Sequence, residues 1–319
     1  MVEIGYKLTS EQQPAPNLIK YAKQAEDAGF DFAMISDHYH PWVENQGQSP
    51  YVWSTLGAIS QVTEKIKIGT AVTCPTVRQH PAIVAQAAAT VASLMPGRFI
   101  LGLGSGENLN EHIYGDSWPA APIRIEMLEE AVDLIRKLWQ GGMQDYEGFY
   151  YHVENARIYS LPEKLPPIYM AAAGPIAAET AGISGDGFIT GGAGKKLLKK
   201  FKESGGEGKP SQSEVMVCWA KSKEEAIKTA YKYWPIVAIK GELSWEIKTP
   251  THFQQLAKMI KEEDMAKNTV CSPDPQDHIN KIKKSVDAGF DQICIQQIGL
   301  KQSEFIEFCK KEILPEFKD

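Results

Sequence analysis

Cysteine is scarce in this sequence and carries no pattern. Its five residues, Cys74, Cys218, Cys271, Cys294 and Cys309, are odd in number and show no Cys-x-x-Cys spacing. That speaks against a zinc site or a disulfide framework and for reduced thiols in a cytosol, with no metal expected. No apolar run approaches the ~20 residues that a membrane span needs. The opening MVEIGYKLTS has no basic region followed by an apolar stretch, so no secretory signal is evident. An excess of positive charge is missing too: 34 Lys and Arg stand against 40 Asp and Glu, a net charge of −6. Such a surface favours solubility and argues against nucleic-acid binding. An anionic ligand would need a local group of cations or helix N-termini.

The chain does have ample material for a core, with 43% hydrophobic residues over 319 positions. Short strand-like runs alternate with longer helical ones. Strands are expected at 2–7, 32–35, 66–72, 98–103, 167–172, 187–190, 215–220 and 292–295. Helices are expected at 17–28, 51–62, 82–94, 124–138, 175–182, 195–204, 223–233, 275–288 and 303–317. Eight strands alternating with helices predict an α/β fold, a (β/α)8 TIM barrel, as one domain over 1–319. One echo supports it: AEDAGFDFAMI at 25–35 and SVDAGFDQICI at 285–295 share a helix end, a glycine and an apolar strand. Gly29 and Gly289 are expected as helix caps in the left-handed conformation, which glycine adopts without steric cost. The stretch 239–268 fits no unit and reads as an inserted helical segment over the barrel mouth. SGGEGKPSQS at 204–213 reads as a mobile surface loop.

In a barrel, chemistry belongs at the C-terminal ends of the strands. After the second strand comes Ser36-Asp37-His38-Tyr39-His40-Pro41-Trp42. A histidine there can take a hydroxyl proton at neutral pH. The plainer alternative is a histidine bonded within its loop, which is how His40 reads. After the fourth strand, Gly104-Ser105-Gly106-Glu107 lets a ligand approach the backbone and offers a carboxyl for proton transfer. Arg78, after the third strand, either binds an anion or braces its loop. Ala172-Ala173-Gly174-Pro175 and Gly191-Gly192-Ala193-Gly194 each lead from a strand into a helix, where a phosphate group is readily held. Lys195, Lys196, Lys199 and Lys200 beside the second turn either assist that phosphate or form a solvated helix face.

GYKLTSEQ, SDHYHPW, TCPTVRQHPAIVAQ, LGLGSGENLNE and GDGFITGG follow one another in an order and spacing that resembles a known family. It is that of F420-dependent glucose-6-phosphate dehydrogenase and its alcohol-dehydrogenase relatives, within the luciferase-like superfamily. The likeness is strong over roughly the first 190 residues. The resemblance implies coenzyme F420, a small-molecule substrate and a homodimer formed through the helices after strands 2 and 3. It implies His38 as base on the substrate hydroxyl, Trp42 steadying the oxygen, Glu107 as proton donor to the coenzyme ring and Glu11 near the substrate. Asp37, Cys74, Ser105, Gly106 and Asn110 would contact the coenzyme, with Ala71 and Val72 as a cis peptide against its ring. Ala173, Gly174 and Pro175 would hold its phosphate. The glucose-6-phosphate enzymes hold the sugar phosphate with two lysines and an arginine; here Gly194, Gln255 and Asn268 occupy those places. Lys195 and Lys267 are the nearest cations, so a neutral alcohol or a different sugar is expected instead. Two rivals remain open. One is an FMN-dependent monooxygenase on the same barrel; the other is a non-catalytic protein that stores the deazaflavin.

Overall fold

In the computed structural model, residues 2–239 and 241–318 are described. The barrel strands are β1 (Glu3–Leu8), β2 (Phe32–Ile35), β3 (Lys67–Thr70) and β4 (Phe99–Leu103). A hairpin, β5 (Gln144–Glu147) and β6 (His152–Ala156), intervenes. The barrel continues with β7 (Ile168–Ala171), β8 (Gly187–Gly191), β9 (Ser211–Cys218) and, after the two-residue β10 (Val270–Cys271), β11 (Gln292–Gln297). The order β1-β2-β3-β4-β7-β8-β9-β11 closes on β1, and every pairing within it is parallel. This is the expected (β/α)8 barrel.

Side chains alternate across each strand, so one set faces the helices and the other the barrel axis. Tyr6, Leu8, Ile35, Ile68, Leu101 and Leu103 belong to the outer core. They pack under helices including α1 (Ala15–Ala28), α2 (Val52–Ser60), α3 (Pro81–Leu94) and α5 (Ala121–Leu138). Phe32, Met34, Ile100, Tyr169, Ile189 and Cys294 form a separate buried cluster inside the barrel. Lys7 shares that interior, its Nζ 2.6 Å from Glu214 Oε2. Burial works against its charge, but Glu214 more than offsets this and holds the ammonium above its ordinary pKa. Gly29 caps α1 at φ +89°, and Gly289 turns at φ +95° before β11, as the echo predicts.

Several elements differ from the sequence reading. The loop expected at 204–213 is ordered at its end, because β9 begins at Ser211. There the backbone N–H and hydroxyl of Ser211 both donate to Asp291 Oδ2, at 3.0 and 2.7 Å. Those bonds outweigh a composition that favours turns. The helices expected at 195–204 and 303–317 end sooner, as α7 (Lys195–Phe201) and α13 (Gln302–Phe308), each running on into wider or tighter helical turns. The inserted segment contains α9 (Leu243–Glu246), α10 (Pro250–Ala257) and α11 (Glu262–Asn268). Lys240, within that segment, lies outside the described residues, as do the terminal Met1 and Asp319. Phe253 and Met265 from these helices are buried in a cluster with Trp42, Val43 and Leu109 from the barrel rim. No helix among the described residues is long and apolar enough to cross a membrane.

Candidate active site

The loops after β1 and β2 bring four polar side chains together. Glu11 is buried and His38 half-buried, with Glu11 Oε1 3.5 Å from His38 Nε2. The other carboxylate oxygen accepts from the Ser36 hydroxyl at 2.5 Å. Ser10 buttresses Ser36, its N–H donating to Ser36 Oγ at 3.0 Å and its hydroxyl to Ser36 O at 2.9 Å. The backbone of this loop pair is tied as well. Gln48 N donates to Glu11 O at 3.1 Å, and Ser49 Oγ to His38 O at 2.7 Å.

Beyond β4, the short helix α4 (Asn108–Glu111) delivers Asn110 to the opposite edge of His38. Asn110 Nδ2 lies 3.1 Å from His38 Nδ1 and 3.3 Å from Glu107 Oε2. Its Oδ1 accepts from the backbone N–H groups of Tyr39 and His40, at 2.9 and 3.1 Å. His40 is held in the loop by Leu109 O at 2.9 Å from Nδ1, as the plainer reading of that residue has it. Ser105, Gly106 and Glu107 are half-buried along the same edge. Gly106 sits at φ +78°, and a Cβ there would come within 2.5 Å of Cys74 Sγ, so only glycine fits the turn. Burial pushes the Cys74 thiol up, and its sulfur lies 3.0 Å from Thr76 Oγ1. The Ala71–Val72 peptide is cis.

Behind this edge lies a buried charge network. Asp37 Oδ1 pairs with Arg78 Nη2 at 3.0 Å, while Oδ2 accepts from Thr73 Oγ1 and Gln79 Nε2, both at 2.8 Å. Gln79 is fixed in turn by the Trp53 indole N–H at 2.9 Å. Glu111 accepts from Arg78 N at 2.7 Å and lies 3.4 Å from its Nε. Arg78 therefore braces the loops after β2, β3 and β4, the second of its two readings. Burial pulls the guanidinium down, but Asp37 and Glu111 together carry it above its ordinary value. Burial also raises Glu111, to about 7, against the pull of Arg78. One guanidinium cannot hold two buried carboxylates equally, and Asp37 has the more donors.

Trp42 stands between the barrel and the inserted helices. Its ring centroid is 5.3 Å from that of His38 and 5.3 Å from that of Phe253, which it meets edge-on at 85°. Its backbone N–H donates to Gln46 Oε1 at 2.7 Å, and Gln46 is anchored to Tyr233 O at 2.9 Å. Around the rim, the β7 and β8 turns are open. Gly174 precedes α6 (Pro175–Ser184), and a Cβ at Gly174, Gly191 or Gly192 would meet nothing within 4 Å. Ala173 and Pro175 are exposed. Lys195, also exposed, opens α7; it is not joined to the His38 cluster by any bond among the described residues. Lys199 and Lys200 form surface pairs with Glu203 and Glu179. No group of three or more His, Cys, Asp or Glu arranged to hold a metal ion occurs among the described residues.

The sequence pattern of luciferase-like monooxygenases matches residues 1–292. The chain belongs to the luciferase-like family. An F420-dependent glucose-6-phosphate dehydrogenase of Microbacterium testaceum is 36% identical over 99% of this chain and 98% of its own length. One from Rhodococcus erythropolis is 35% identical with the same coverage. Among solved structures, an F420-dependent secondary alcohol dehydrogenase in complex with an F420–acetone adduct superposes with a TM-score of 0.91 at 29% identity. That superposition covers 100% of this luciferase-like chain and 99% of the other.

Ser36, Glu111 and Asn108 are site neighbours that the sequence reading did not single out. Ser36 lies inside the SDH motif, so its position was visible although its bond to Glu11 was not. Glu111 and Asn108 flank Asn110 on α4. Asn108 Nδ2 donates to Glu246 O at 2.9 Å and so ties the inserted helices to the rim. No local signal carries that contact, which spans 138 residues of sequence.

Proposed function

We propose that the chain is an F420-dependent oxidoreductase that moves a hydride between the deazaflavin and the CH–OH carbon of a neutral alcohol or a sugar. One observation carries this reading: His38 paired with a buried Glu11 and flanked by Trp42, at the C-terminal mouth of a luciferase-like barrel. A store for the coenzyme has no need of such a pair. The coenzyme, when bound, supplies a ring carbon that accepts or returns the hydride. The remaining work falls to the protein. The buried Glu11 and its neighbour His38 handle the hydroxyl proton between them, Trp42 walls the substrate oxygen, and Glu107 exchanges a proton with the ring.

The residues fit the group. Gly104 and Gly106 let the β4 edge pack closely on Val72 and Cys74, which carries Val72 to the mouth of the barrel. The N-terminus of the ten-residue α6, with Gly174 open before it, suits a phosphate. A sugar phosphate is less well served. Gln255 and Asn268 are uncharged, and Lys267 is already paired with Asp264 at 2.9 Å. Charge-assisted bonds contribute about 1.5–3 kcal/mol each, so even with Lys195 standing in for one of the three cations, losing the other two removes most of the grip on a phosphorylated substrate. Phe253 against Trp42 adds an apolar wall instead.

We further propose a homodimer in the cytosol. Ile83 and Leu94 of α3 are 55% and 43% exposed, an apolar surface suited to a second copy, and all five cysteines are free and buried. Light scattering tests the first point; a monomer at micromolar concentration overturns it.

The function itself is tested by titrating the purified protein with F420 and, in parallel, FMN. Micromolar or tighter binding of F420 alone, followed by loss of oxidised-coenzyme absorbance with an alcohol, is expected. Preference for FMN with oxygen uptake would make the chain a monooxygenase, and tight F420 binding with no turnover would make it a store.

A further inference from the structure

Glu11, His38, Asn110 and Glu107 form one hydrogen-bonded row, and its polarity is set at Asn110. The amide oxygen accepts from two backbone N–H groups, those of Tyr39 and His40. Only the oxygen of an amide can accept, so these donors fix which way the group faces. The NH2 must then point at His38 Nδ1, 3.1 Å away, and at Glu107 Oε2, 3.3 Å away. Each of its hydrogens has its own acceptor.

His38 Nδ1 therefore meets a donor. His40 O, 3.2 Å from the same nitrogen, favours the opposite tautomer. The far side of the ring decides between them. Nε2 faces Glu11 Oε1, and an ionised carboxylate accepts but cannot donate. A lone pair at Nε2 would be repelled there, and a hydrogen is attracted. Asn110 at one end of the imidazole and Glu11 at the other both ask for the proton on Nε2.

We propose that Asn110 is a positioning residue that locks neutral His38 in its Nε2–H tautomer. His38 then meets the substrate oxygen as a hydrogen-bond donor, and Glu11 is the group that takes the hydroxyl proton. This rests on the reading above, in which an alcohol binds against His38. The balance is simple. The substrate O–H bond breaks, its proton forms a carboxylic acid on Glu11, and the carbon–oxygen bond becomes double. The carbinol hydrogen leaves with its electron pair to the coenzyme. His38 keeps its Nε2 proton throughout and holds the oxygen as negative charge develops on it. Ser36 keeps the Glu11 carboxyl oriented through its second oxygen.

The test reads the ring directly. The protein, free of coenzyme and substrate, is labelled with 15N-histidine, and long-range 15N–1H correlations are recorded at about pH 8, where neutral imidazole prevails. His38 is assigned among the seven histidines by its loss in His38→Gln. The expected spectrum has an unprotonated Nδ1 and a protonated Nε2. Asn110→Asp puts an acceptor at Nδ1, so the ring should switch to Nδ1–H. Its turnover should fall by about 100-fold, as should that of Glu11→Gln, the scale of a displaced acid–base group. Coenzyme affinity of Glu11→Gln should stay within roughly threefold, well under the tenfold that 1.4 kcal/mol represents. A wild-type His38 carrying its proton on Nδ1 overturns the proposal, as does an Asn110→Asp ring that keeps the wild-type tautomer. If Asn110→Asp fails to fold, the wild-type spectrum alone decides. Because the tautomer is read without turnover, an Nε2–H ring in a chain that oxidises no alcohol would sink the functional reading and leave the lock standing.

Discussion

The two halves of the barrel rim are built on different principles. In the first half, the loops after β1 to β4 carry interlocked side chains: Glu11 on Ser36, Asn110 on His38, and Arg78 on both Asp37 and Glu111. The carboxylates of Glu11, Asp37 and Glu111 there are buried, and each accepts hydrogen bonds from neighbouring side chains or backbone. In the second half, the turns after β7 and β8 are glycine-rich and open, and offer backbone rather than side chains. The contrast suits the two tasks proposed above. Moving a proton requires side chains held to fractions of an ångström. Holding a phosphate requires bare N–H groups and room.

The contrast is broken most severely at Arg78. Its guanidinium separates two buried carboxylates, so Arg78→Met leaves them facing each other without a cation. Removing one partner of a buried ion pair costs about 3–5 kcal/mol. Urea denaturation should register that loss, and a loss under about 1 kcal/mol would mean the network merely fills space. Next comes His38→Ala, which should lower kcat by about 100-fold or more while coenzyme binding is nearly retained. Unchanged turnover would remove His38 from the chemistry.

Glu111 gives a subtler break. Its folded pKa of about 7 lies above the ordinary carboxylate value, so the folded state binds the proton more tightly than the unfolded chain does. The stabilisation is fully present below the unfolded value and is lost as pH rises through 7. Wild type should therefore lose on the order of 2 kcal/mol between pH 5 and pH 8 that Glu111→Gln does not lose, measured by denaturation at both pH values. Identical pH dependence in the two proteins would show that Glu111 is already ionised. The smallest effect is expected in the open half. Gly174→Ala has room for its methyl group and an extended φ of −138°, so stability should be unchanged to within about 0.5 kcal/mol. If a phosphate docks on that turn, F420 affinity should drop a few-fold; no change in affinity would place the phosphate elsewhere.

Much of this arrangement was legible in sequence, for physical reasons that can be named. The strands of the barrel are short apolar runs between glycine-capped or proline-started helices, and such punctuation is local. The SDH and SGE motifs lie where the barrel puts chemistry. The hairpin β5–β6 was not legible, because Gln-Asp-Tyr-Glu and His-Val-Glu-Asn-Ala are mostly polar and show no apolar alternation. Its tip is organised instead by Glu130, which accepts from the N–H groups of Phe149, Tyr150 and Tyr151. The two readings of Arg78 could not be separated either, since Asp37 and Glu111 lie 41 and 33 residues from it. Asn110 could be placed near the site by resemblance. Its effect on His38 depends on two backbone hydrogens contributed from another loop.

Trp42 marks a seam. On one side of its ring stands His38, fixed to the barrel, and on the other Phe253, carried by the inserted helices. Those helices are tied to the rim by Asn108 to Glu246 O, by Thr251 to Glu44 and by the packing of Phe253 and Met265. Under the proposed function, the size of alcohol accepted would be redrawn through 243–268, while the groups proposed to handle the proton lie within the first 111 residues.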